Sequence, residues 1–351
     1  MKKTVALIFG GEGFEHKISE MSAANLYGLI DASLYSVRPV GISNDGYWYI
    51  YKGHKDKISN GSWAFDTKNL IPAYPVKMNG ACGFITDSGI IPIDCAIPCL
   101  HGDFGEDGTI QGALTSAGIA YIGQSVCASA ITNDKIYSKL IAEHLGVPTA
   151  KWSYTPSNDA KEAKRMAEAK LGYPMFIKPV SLGSSYGASP VFSPEDFENA
   201  YSEAQRFDSK ILAEELIPFE YEIECAMLED GTMRFSPGGR ILSNGKFYDY
   251  DSKYRAQSSP KTEAFSGKDN ETEERITEYS KRLSDFIGLK YLSRLDFFVT
   301  KDKKIYFNEI NTFPGMTETS LYPKLTEDMV FKKGNFINLL IEKVCHNDRR
   351  I

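Results

Sequence analysis

The amino-acid sequence predicts a three-domain α/β protein that begins with a parallel-sheet domain. At 351 residues the chain is too long for one comfortable hydrophobic core. Strand-like and helix-like patterns alternate along its first third, as they do in βαβ units. Farther on, helix-like and strand-like segments follow one another. We place the domains at residues 1–118, 119–212 and 213–351.

The first domain opens with TVALIFGG, a short apolar run typical of a buried strand. Two lysines precede it, but it is short and lacks a small-residue cleavage pattern, so we do not interpret it as a signal peptide. HKISEMSAANLYGLI follows, with apolar residues near helical spacing. SVRPVGIS and YWYIYK predict strands, and CAIPCLHG predicts a buried strand that ends in a loop.

The second and third domains mix helices with strands. SAITNDKIYSKLIAEHLG predicts one helix that ends at Gly146. A helix at about 158–171 and a strand in YPMFIKP come next, followed by a helix in SPEDFENAYSEAQRF that Ser193 can cap. From KILAEELI the chain predicts strands to about residue 247, then a helix near 272–287 and a hairpin.

The composition is that of an ordinary soluble globular protein: 42% hydrophobic, 25% charged and a net charge of −6. This mild acidity argues against a broad surface for nucleic acid or anionic membrane. The sequence contains no apolar run of about 18 residues, so no transmembrane helix is expected. The six cysteines are dispersed without zinc-site spacing, which predicts reduced thiols in a cytosol.

The hairpin in SRLDFFVTKDKKIYFNEIN carries a cluster of polar side chains. If its loop is centred at 302–303, the residue numbers of two cross-strand partners add up to 605. Asp296 then faces Glu309, and Arg294 faces Asn311. Side chains alternate along strands, so all four project from one face. Two carboxylates and a carboxamide there predict a Mg²⁺ site, because Mg²⁺ prefers oxygen ligands. The alternative is the exposed polar face of an edge hairpin.

The segment MFIKPVSLGSSYG predicts a phosphate-binding loop. Lys178 ends an apolar strand, and glycines and serines follow that can offer backbone N–H and hydroxyl groups to an anion. The loop residues that can do so are Gly183, Ser184, Ser185 and Gly187. Lys135 in SAITNDK is a second candidate phosphate ligand, although in isolation it would be a solvated surface lysine.

Two further glycine-rich segments lie near the start of the chain. GGEGFEHKIS fails the dinucleotide fingerprint, because His16 stands where the third glycine belongs. Glu15, at a helix entrance, is either a partner of the helix dipole or an anion for a substrate ammonium. LHGDFGEDGTIQG packs three acids and four glycines after a buried strand, so it is either a plain turn or a loop that lines a site.

Together these segments resemble the D-alanine–D-alanine ligases, ATP-grasp enzymes of cell-wall precursor synthesis. The match runs in family order from GGEGFEHKIS through HGDFGEDGTIQG, IKPVSLGSSYG, AEELIPFEYEIECAML and FYDYDSKY to RLDFF and NEINTFPGMT. The resemblance implies a three-domain ATP-grasp architecture, with an N-terminal Rossmann-like domain and two α+β domains that clamp ATP. It also implies a cytoplasmic homodimer.

The resemblance assigns ATP and metal ligands. Lys135, Lys178, Ser185 and Lys253 would bind the phosphates, the last reaching the γ-phosphate. Glu214 would meet the adenine amino group, with backbone groups near Glu215 and Ile217. Glu222 would hold the ribose, although this segment is one residue longer than the usual pattern. Asp296, Glu309 and Asn311 would hold two Mg²⁺ ions, which Mn²⁺ could replace.

The resemblance also implies the chemistry. One D-alanine carboxylate attacks the γ-phosphorus to form an acyl phosphate, and the amine of a second D-alanine then attacks the acyl carbon. Arg294 and the Gly315 N–H would stabilise the oxyanion. Glu15, Ser184 and Tyr254 would form a triad in which Glu15 holds the first ammonium. His101 would lie near the first carboxylate, and Ser320 and Leu321 would receive the second substrate.

Several alternatives remain open on the residues. Tyr254 and Leu321 are similar to the type that makes the D-alanine dipeptide, but MTETS departs from the usual MTSHS, and DSKYRAQSS has features of D-serine ligases. Another ATP-grasp ligase joining a different carboxylate and amine is the rival within enzymes. A nucleotide-binding regulator without catalysis would predict damage among the charged site residues, which the sequence does not show. An NAD-dependent dehydrogenase is disfavoured by the failed glycine fingerprint.

Overall fold

The computed structural model describes residues 2–157, 159–183, 186–242, 261–264, 267, 269–330 and 335–347. Helices and strands are numbered in chain order within these ranges. Three sheets succeed one another along the chain, and a small antiparallel sheet accompanies the first. Within the described part of the chain, no helix combines the length and the apolarity that crossing a membrane requires. The six cysteines are free thiols, four of them buried.

The first sheet has five strands and a buried parallel centre. Its strands are β1 (Lys3–Gly10), β2 (Tyr35–Ile42), β3 (Trp48–Tyr51), β4 (Leu70–Pro72) and β8 (Cys95–Pro98), in the order β4-β3-β2-β1-β8. Strand β1 pairs in parallel with both β2 and β8, while β3 and β4 run antiparallel. The small sheet contains β5 (Tyr74–Met78), β6 (Ala81–Thr86) and β7 (Gly89–Pro92). The predicted parallel-sheet domain is therefore confirmed in its centre.

Three helices and two 3-10 turns accompany the first sheet. The helices are α1 (His16–Leu29), α2 (Asp56–Ser59) and α3 (Thr109–Ser116), and the 3-10 turns span Ser62–Phe65 and Thr67–Asn69. Helix α1 follows a tight glycine turn, in which Gly10 has φ +93° and a Cβ on it would lie 2.1 Å from the Ile42 carbonyl oxygen. Only glycine fits there, and the turn delivers Glu15 to the N-cap position of α1.

The central segment forms a four-stranded antiparallel sheet with helices around it. Its elements are α4 (Val126–Asn133), α5 (Lys135–His144), β9 (Trp152–Ser153), α6 (Ala160–Lys170), β10 (Met175–Pro179), β11 (Ser189–Val191), α7 (Pro194–Ala204) and β12 (Ile211–Glu215). The strand order is β11-β10-β12-β9. Strand β12 pairs with β10 over its whole length, so the predicted boundary at 212 falls inside a strand of this sheet. The division into three domains stays a proposal.

Two predicted local features of the central segment are wrong. The single helix through Lys135 is divided into α4 and α5 at Asp134. The backbone of Asp134 is extended, and its side chain caps α5 by accepting from the N–H groups of Ile136 and Tyr137. An N-cap is non-helical, so the helix restarts there. Ser193 stands at the N-cap of α7 as predicted, but its hydroxyl donates to the Asp196 carboxylate and accepts no cap hydrogen bond.

The third sheet carries the predicted hairpin. Its strands are β13 (Phe219–Glu229), β14 (Met233–Phe235), β15 (Gly239–Leu242), β16 (Lys261–Ala264), β17 (Leu292–Thr300) and β18 (Ile305–Asn311). The order is β16-β15-β13-β17-β18, with β14 paired to β13. Helix α8 (Asn270–Ile287) packs on this sheet, and α9 (Leu321–Val330) and α10 (Asn335–Asn347) complete the described elements.

Helix α10 joins the C-terminal segment to the first sheet. Its apolar face shares one core with β1 and β8, through residues such as Ile337 and Leu340 on the helix and Leu7 and Ile97 on the strands. The Asn338 amide also donates to the Leu29 carbonyl oxygen at 3.0 Å. Because the two ends of the chain share a core, loops of the first sheet lie at a fixed distance from the end of β18.

Candidate active site

A cleft between the second and third sheets collects most of the residues predicted to bind a nucleotide. Its empty volume, open solvent included, is about 840 Å³. The predicted residues that line it are Lys135, Lys178, Glu214, Glu215, Ile217, Glu222 and Glu309. Phe176 and Phe298 add aromatic surface to its walls.

Glu214 lies in this cleft between two buried lysines. Its Oε2 is 2.9 Å from Lys178 Nζ, and its Oε1 is 2.8 Å from the Nζ of Lys139. Burial alone would raise the pKa of Glu214, but the two lysine charges outweigh burial and lower that pKa below its ordinary value. Glu214 is therefore an ionised carboxylate, a side chain that can only accept hydrogen bonds.

Lys139 was not predicted as a site residue. It lies one helical turn after Lys135 on α5, and its side chain is 1% exposed. Burial lowers its pKa, and the Glu214 charge opposes that shift. The only sequence signal was a lysine at i+4 from a candidate phosphate ligand, and that spacing is equally common on solvated helix faces.

Lys135 lies where the large cleft meets a second, smaller cavity. As the first residue of α5, it is positioned by the Asp134 cap. Its Nζ donates to the Leu182 carbonyl oxygen at 2.8 Å and lies 3.4 Å from Glu309 Oε2. Lys135, Gly183 and Glu309 line both cavities. A group transferred between ligands in the two cavities would pass these residues.

The predicted hairpin pairing is correct at the polar end and wrong by one residue toward the turn. Arg294 pairs with Asn311 and Asp296 pairs with Glu309, as the sum of 605 required. Beyond them Phe297 pairs with Phe307, so Asn308 is an extra residue in a β-bulge. The Asn308 side chain reaches Lys178 Nζ at 3.4 Å and lines the large cleft, a placement that the regular alternation did not predict.

Arg294 is surrounded by carboxylates on this face of the sheet. Its Nε and one terminal nitrogen donate to the two oxygens of Asp296 at 2.8 and 2.7 Å, and Nε lies 3.3 Å from Glu224 Oε2. Burial alone would lower the pKa of Arg294, but the carboxylates of Asp296, Glu224 and Glu309 raise it well above its ordinary value. The guanidinium is charged at every working pH.

The polar face of the hairpin fits a hard cation. The Asn311 amide nitrogen donates to Asp296 Oδ2 at 3.0 Å, which leaves the amide carbonyl oxygen as the atom that can ligate. Two carboxylates and one carbonyl oxygen are the donor chemistry of Mg²⁺. Within the described residues, no group of three or more His, Cys, Asp and Glu side chains is arranged to hold a metal ion. A cation here therefore needs Asn311 and oxygens from a ligand.

Glu15 lies at the meeting point of loops from the first two sheets. A Cβ on Gly102, where φ is +65°, would lie 2.7 Å from Glu15 Oε2, and one on Gly183 would lie 3.6 Å from the same atom. The carboxylate thus borders the loop that leads to Ser184. Four predicted residues, Ser184, Ser185, Lys253 and Tyr254, lie outside the described residues.

His101 is buried, and protein groups bind both of its ring nitrogens. Nδ1 is 3.0 Å from the Phe313 carbonyl oxygen, and Nε2 is 3.1 Å from Ser22 Oγ. Burial, the largest cause, lowers the pKa of His101 to about 4, so the imidazole is neutral near pH 7. Its predicted contact with a substrate carboxylate stays a prediction.

Glu106 is a partly buried carboxylate that the sequence did not single out. It accepts from the N–H groups of Gly102 and Phe313, each at 3.1 Å. Burial and the neighbouring Glu15 carboxylate raise its pKa to about 7. The acid-rich HGDFGEDG segment signalled a site, but the sequence did not distinguish Glu106 from Asp103 and Asp107.

The turn after β18 brings Gly315 close to Ser320. A Cβ on Gly315 would lie 3.0 Å from Ser320 Oγ, which also accepts from the Thr317 N–H at 3.0 Å. Leu321 begins α9, packs on the large apolar core and abuts Gly239 of β15. The three predicted residues at 315, 320 and 321 are therefore neighbours at the end of the polar hairpin face.

Comparison with protein-family models decides the family. The model for the D-ala D-ala ligase N-terminus matches residues 4–124, and the model for the D-ala D-ala ligase C-terminus matches residues 141–342. The chain belongs to the D-alanine–D-alanine ligase family. The predicted family, its ATP-grasp fold and the ligase class of enzyme are thereby confirmed.

Relatives match this ligase over nearly its whole length. D-alanine--D-alanine ligases from Acetivibrio thermocellus and Clostridium novyi are each 37% identical to it; the alignments cover 97% and 100% of this chain and 95% and 100% of the relatives. The structure of the VanG D-Ala:D-Ser ligase from Enterococcus faecalis has a TM-score of 0.89 at 33% identity and covers 98% of this chain and 100% of that one. The D-alanine-D-alanine ligase of Coxiella burnetii has a TM-score of 0.85 at 28% identity, covering 98% and 94%.

Replacing Lys139 with methionine is expected to lower the free energy of unfolding of the ligase by about 3 kcal/mol, because it leaves a buried carboxylate with one partner fewer. Lys210 supplies the matched control: its Nζ lies 2.8 Å from Asp134, but its side chain is 44% exposed. Lys210→Met should cost less than about 1 kcal/mol. Urea unfolding of both variants measures the difference, and equal losses would contradict the structural role of Lys139.

Proposed function

We propose that the protein joins two D-alanine molecules to D-alanyl-D-alanine and converts ATP to ADP and phosphate, as a step of peptidoglycan precursor synthesis. The observation that carries this proposal is the pair of cavities that share Lys135, Gly183 and Glu309. A nucleotide in the large cleft and an amino acid in the small cavity would meet at these residues. The full-length relatives named D-alanine--D-alanine ligase support the same reaction.

The large cleft would take ATP. Glu214, held ionised by two lysines, would accept a hydrogen bond from the adenine amino group, and the backbone near Glu215 and Ile217 would complete that contact. Lys178 and Lys135 supply positive charge for the phosphates. Glu222 also lines the cleft, and we assign it to the ribose hydroxyls.

Asp296, Glu309 and Asn311 would hold Mg²⁺, with two ions per site and Mn²⁺ as a substitute. When bound, the metal neutralises negative charge on the phosphate oxygens. The chain's own contribution is a rigid set of oxygen donors, because Arg294 and Asn311 both hydrogen-bond Asp296 and orient its carboxylate.

The reaction would proceed in two displacements. Glu15 orients the first D-alanine through its ammonium, and the substrate carboxylate attacks the γ-phosphorus, so that ADP leaves and D-alanyl phosphate remains. The amine of the second D-alanine then attacks the acyl carbon, loses a proton, and phosphate leaves. Arg294 and the Gly315 N–H would stabilise the oxyanion of this second step.

The most specific part of the proposal is the assignment of D-alanine as the second substrate. The similarity to a D-Ala:D-Ser ligase makes D-serine the alternative. Leu321 argues against it, because this side chain packs in an apolar core and offers no partner for a serine hydroxyl. We also propose that the enzyme is a homodimer. We propose that it lies in the cytoplasm, where ATP is available to it.

The deciding experiment supplies ATP and Mg²⁺ with D-alanine alone and with an equimolar mixture of D-alanine and D-serine. Phosphate release is followed and products are identified by mass. We expect D-Ala–D-Ala as the main product under both conditions. A dominant D-Ala–D-Ser product would overturn the assigned second substrate, and an absence of phosphate release under both conditions would overturn the proposed reaction.

A further inference from the structure

The turn that carries Gly315 is attached to the first segment of the chain by four side chains. They bind both backbone groups of Phe313 and both of Met316, the residues that flank Pro314 and Gly315. Glu106 accepts from the Phe313 N–H at 3.1 Å, His101 Nδ1 bonds the Phe313 carbonyl oxygen at 3.0 Å, Ser22 accepts from the Met316 N–H at 3.2 Å, and Asn25 donates to the Met316 carbonyl oxygen at 2.7 Å. The turn is held at both ends by another part of the fold.

Two of these contacts are joined by a bond between Ser22 and His101 into one directed chain of hydrogen bonds. A carbonyl oxygen can only accept, so the hydrogen of the neutral His101 ring lies on Nδ1. Nε2 then accepts from the Ser22 hydroxyl, whose oxygen accepts from Met316 N–H. Each group is thus assigned as a donor or an acceptor, and these hydrogen bonds hold the turn in the arrangement observed.

Glu106 differs from the other three because its side chain binds backbone groups of two loops at once. Oε1 takes the Phe313 N–H and Oε2 takes the Gly102 N–H, so each oxygen accepts from a different backbone group. Above its pKa of about 7 the Glu106 side chain is an ionised carboxylate with two acceptor oxygens, whereas a glutamine has one acceptor oxygen and would direct its NH₂ at the other N–H. Glutamine therefore keeps the shape of this side chain but loses one of the two ties.

We propose that Glu106 is a positioning residue for the amide-forming step: its carboxylate holds the Phe313–Met316 turn so that the Gly315 N–H faces the acyl oxygen that becomes the oxyanion. This inference rests on the proposed function. Glu106 lines the small cavity together with Lys135 and Glu309, but its carboxylate is hydrogen-bonded to the backbone of Gly102 and Phe313, so we assign its effect to the turn that it binds. Lys135 and Glu309, which we propose to border the γ-phosphate, lie on α5 and β18. Loss of Glu106 should therefore slow the second displacement more than the first.

The test compares the two steps in Glu106→Gln. Exchange of ¹⁸O between the βγ-bridge and the β-nonbridge positions of ATP, in the presence of D-alanine, reports reversible formation of the acyl phosphate. We expect dipeptide turnover to fall about ten- to hundredfold while this exchange and the KM for ATP stay within about threefold of the unaltered enzyme. The matched control is Gln111→Met, which removes a buried hydrogen bond to Gly105 in the same loop but leaves the turn untouched. It should leave both rates within about threefold.

Asn25→Asp provides an independent variant at the other end of the turn, where a carboxylate would face the Met316 carbonyl oxygen. It should show the same split, and it tests the proposal even if Glu106→Gln does not fold. Equal falls in exchange and dipeptide turnover, or no fall in either, would overturn the positioning role. An unaltered enzyme that neither exchanges nor forms dipeptide would show instead that the proposed function itself is wrong, and the inference would fall with it.

Discussion

Replacing Arg294 with lysine is expected to lower dipeptide turnover by about a hundredfold, since one preorganised oxyanion donor contributes roughly 3 kcal/mol. The lysine keeps the positive charge but loses the planar fork that binds both oxygens of Asp296. An ammonium has three donors but no rigid fork, so it cannot bind both oxygens of Asp296 in this geometry and keep a donor fixed toward the oxyanion. Steady-state turnover at saturating D-alanine and ATP measures the effect.

A matched arginine controls for the loss of the guanidinium. Arg282 lies on α8, pairs with Glu278 one helical turn away and is 45% exposed. Arg282→Lys should leave turnover unchanged within about twofold, because exposed pairs contribute little. Turnover of Arg294→Lys within about threefold of the unaltered enzyme would show that the forked contact is not needed for catalysis.

Replacing Glu309 with glutamine is expected to raise the Mg²⁺ concentration for half-maximal activity at least about tenfold and to lower turnover by about two to three orders of magnitude. Glu309 lies at the junction of the two cavities, 3.4 Å from Lys135, so the change removes a ligand charge and leaves that lysine with one anionic neighbour fewer. Activity is measured across a Mg²⁺ titration after treatment with a chelator. Electron paramagnetic resonance of Mn²⁺, with and without ATP, reports metal binding separately from turnover.

The control is on the same hairpin. Asp302 lies at the turn, where its carboxylate accepts from Thr300 and pairs with Lys304. Asp302→Asn should leave the Mg²⁺ requirement unchanged, since this side chain is distant from the polar face. A Mg²⁺ titration of Glu309→Gln that superimposes on that of Asp302→Asn would remove Glu309 from the metal site.

The polar hairpin face shows which strand pairings a local sequence pattern can predict. Strand alternation and a turn position sufficed to pair Arg294 with Asn311 and Asp296 with Glu309. The bulge at Asn308 was not predictable, because the alternation of side chains along a strand does not indicate where an extra residue is inserted. Its position nonetheless places a carboxamide beside Lys178 in the nucleotide cleft.

The division of one predicted helix into α4 and α5 shows the same limit of prediction from local sequence pattern. The residues on both sides of Asp134 have helix-forming character, so pattern favoured one continuous helix. An aspartate can cap a helix or lie within one, and only its surroundings decide between these roles. Here Lys210, which lies just before β12, bonds the second oxygen of the Asp134 carboxylate at 2.8 Å.

The sequence by itself determined the family and the order of the sheets, and it predicted the residue types that we propose to meet ATP and metal, because these depend on period, turn chemistry and motif. Tertiary structure alone decided which charges are buried together and which loops touch. Lys139 becomes a partner of Glu214 only when α5 packs against β12, and Glu106 binds Phe313 only when loops about 200 residues apart meet. Such pairings depend on distance through space, which spacing along a chain does not encode.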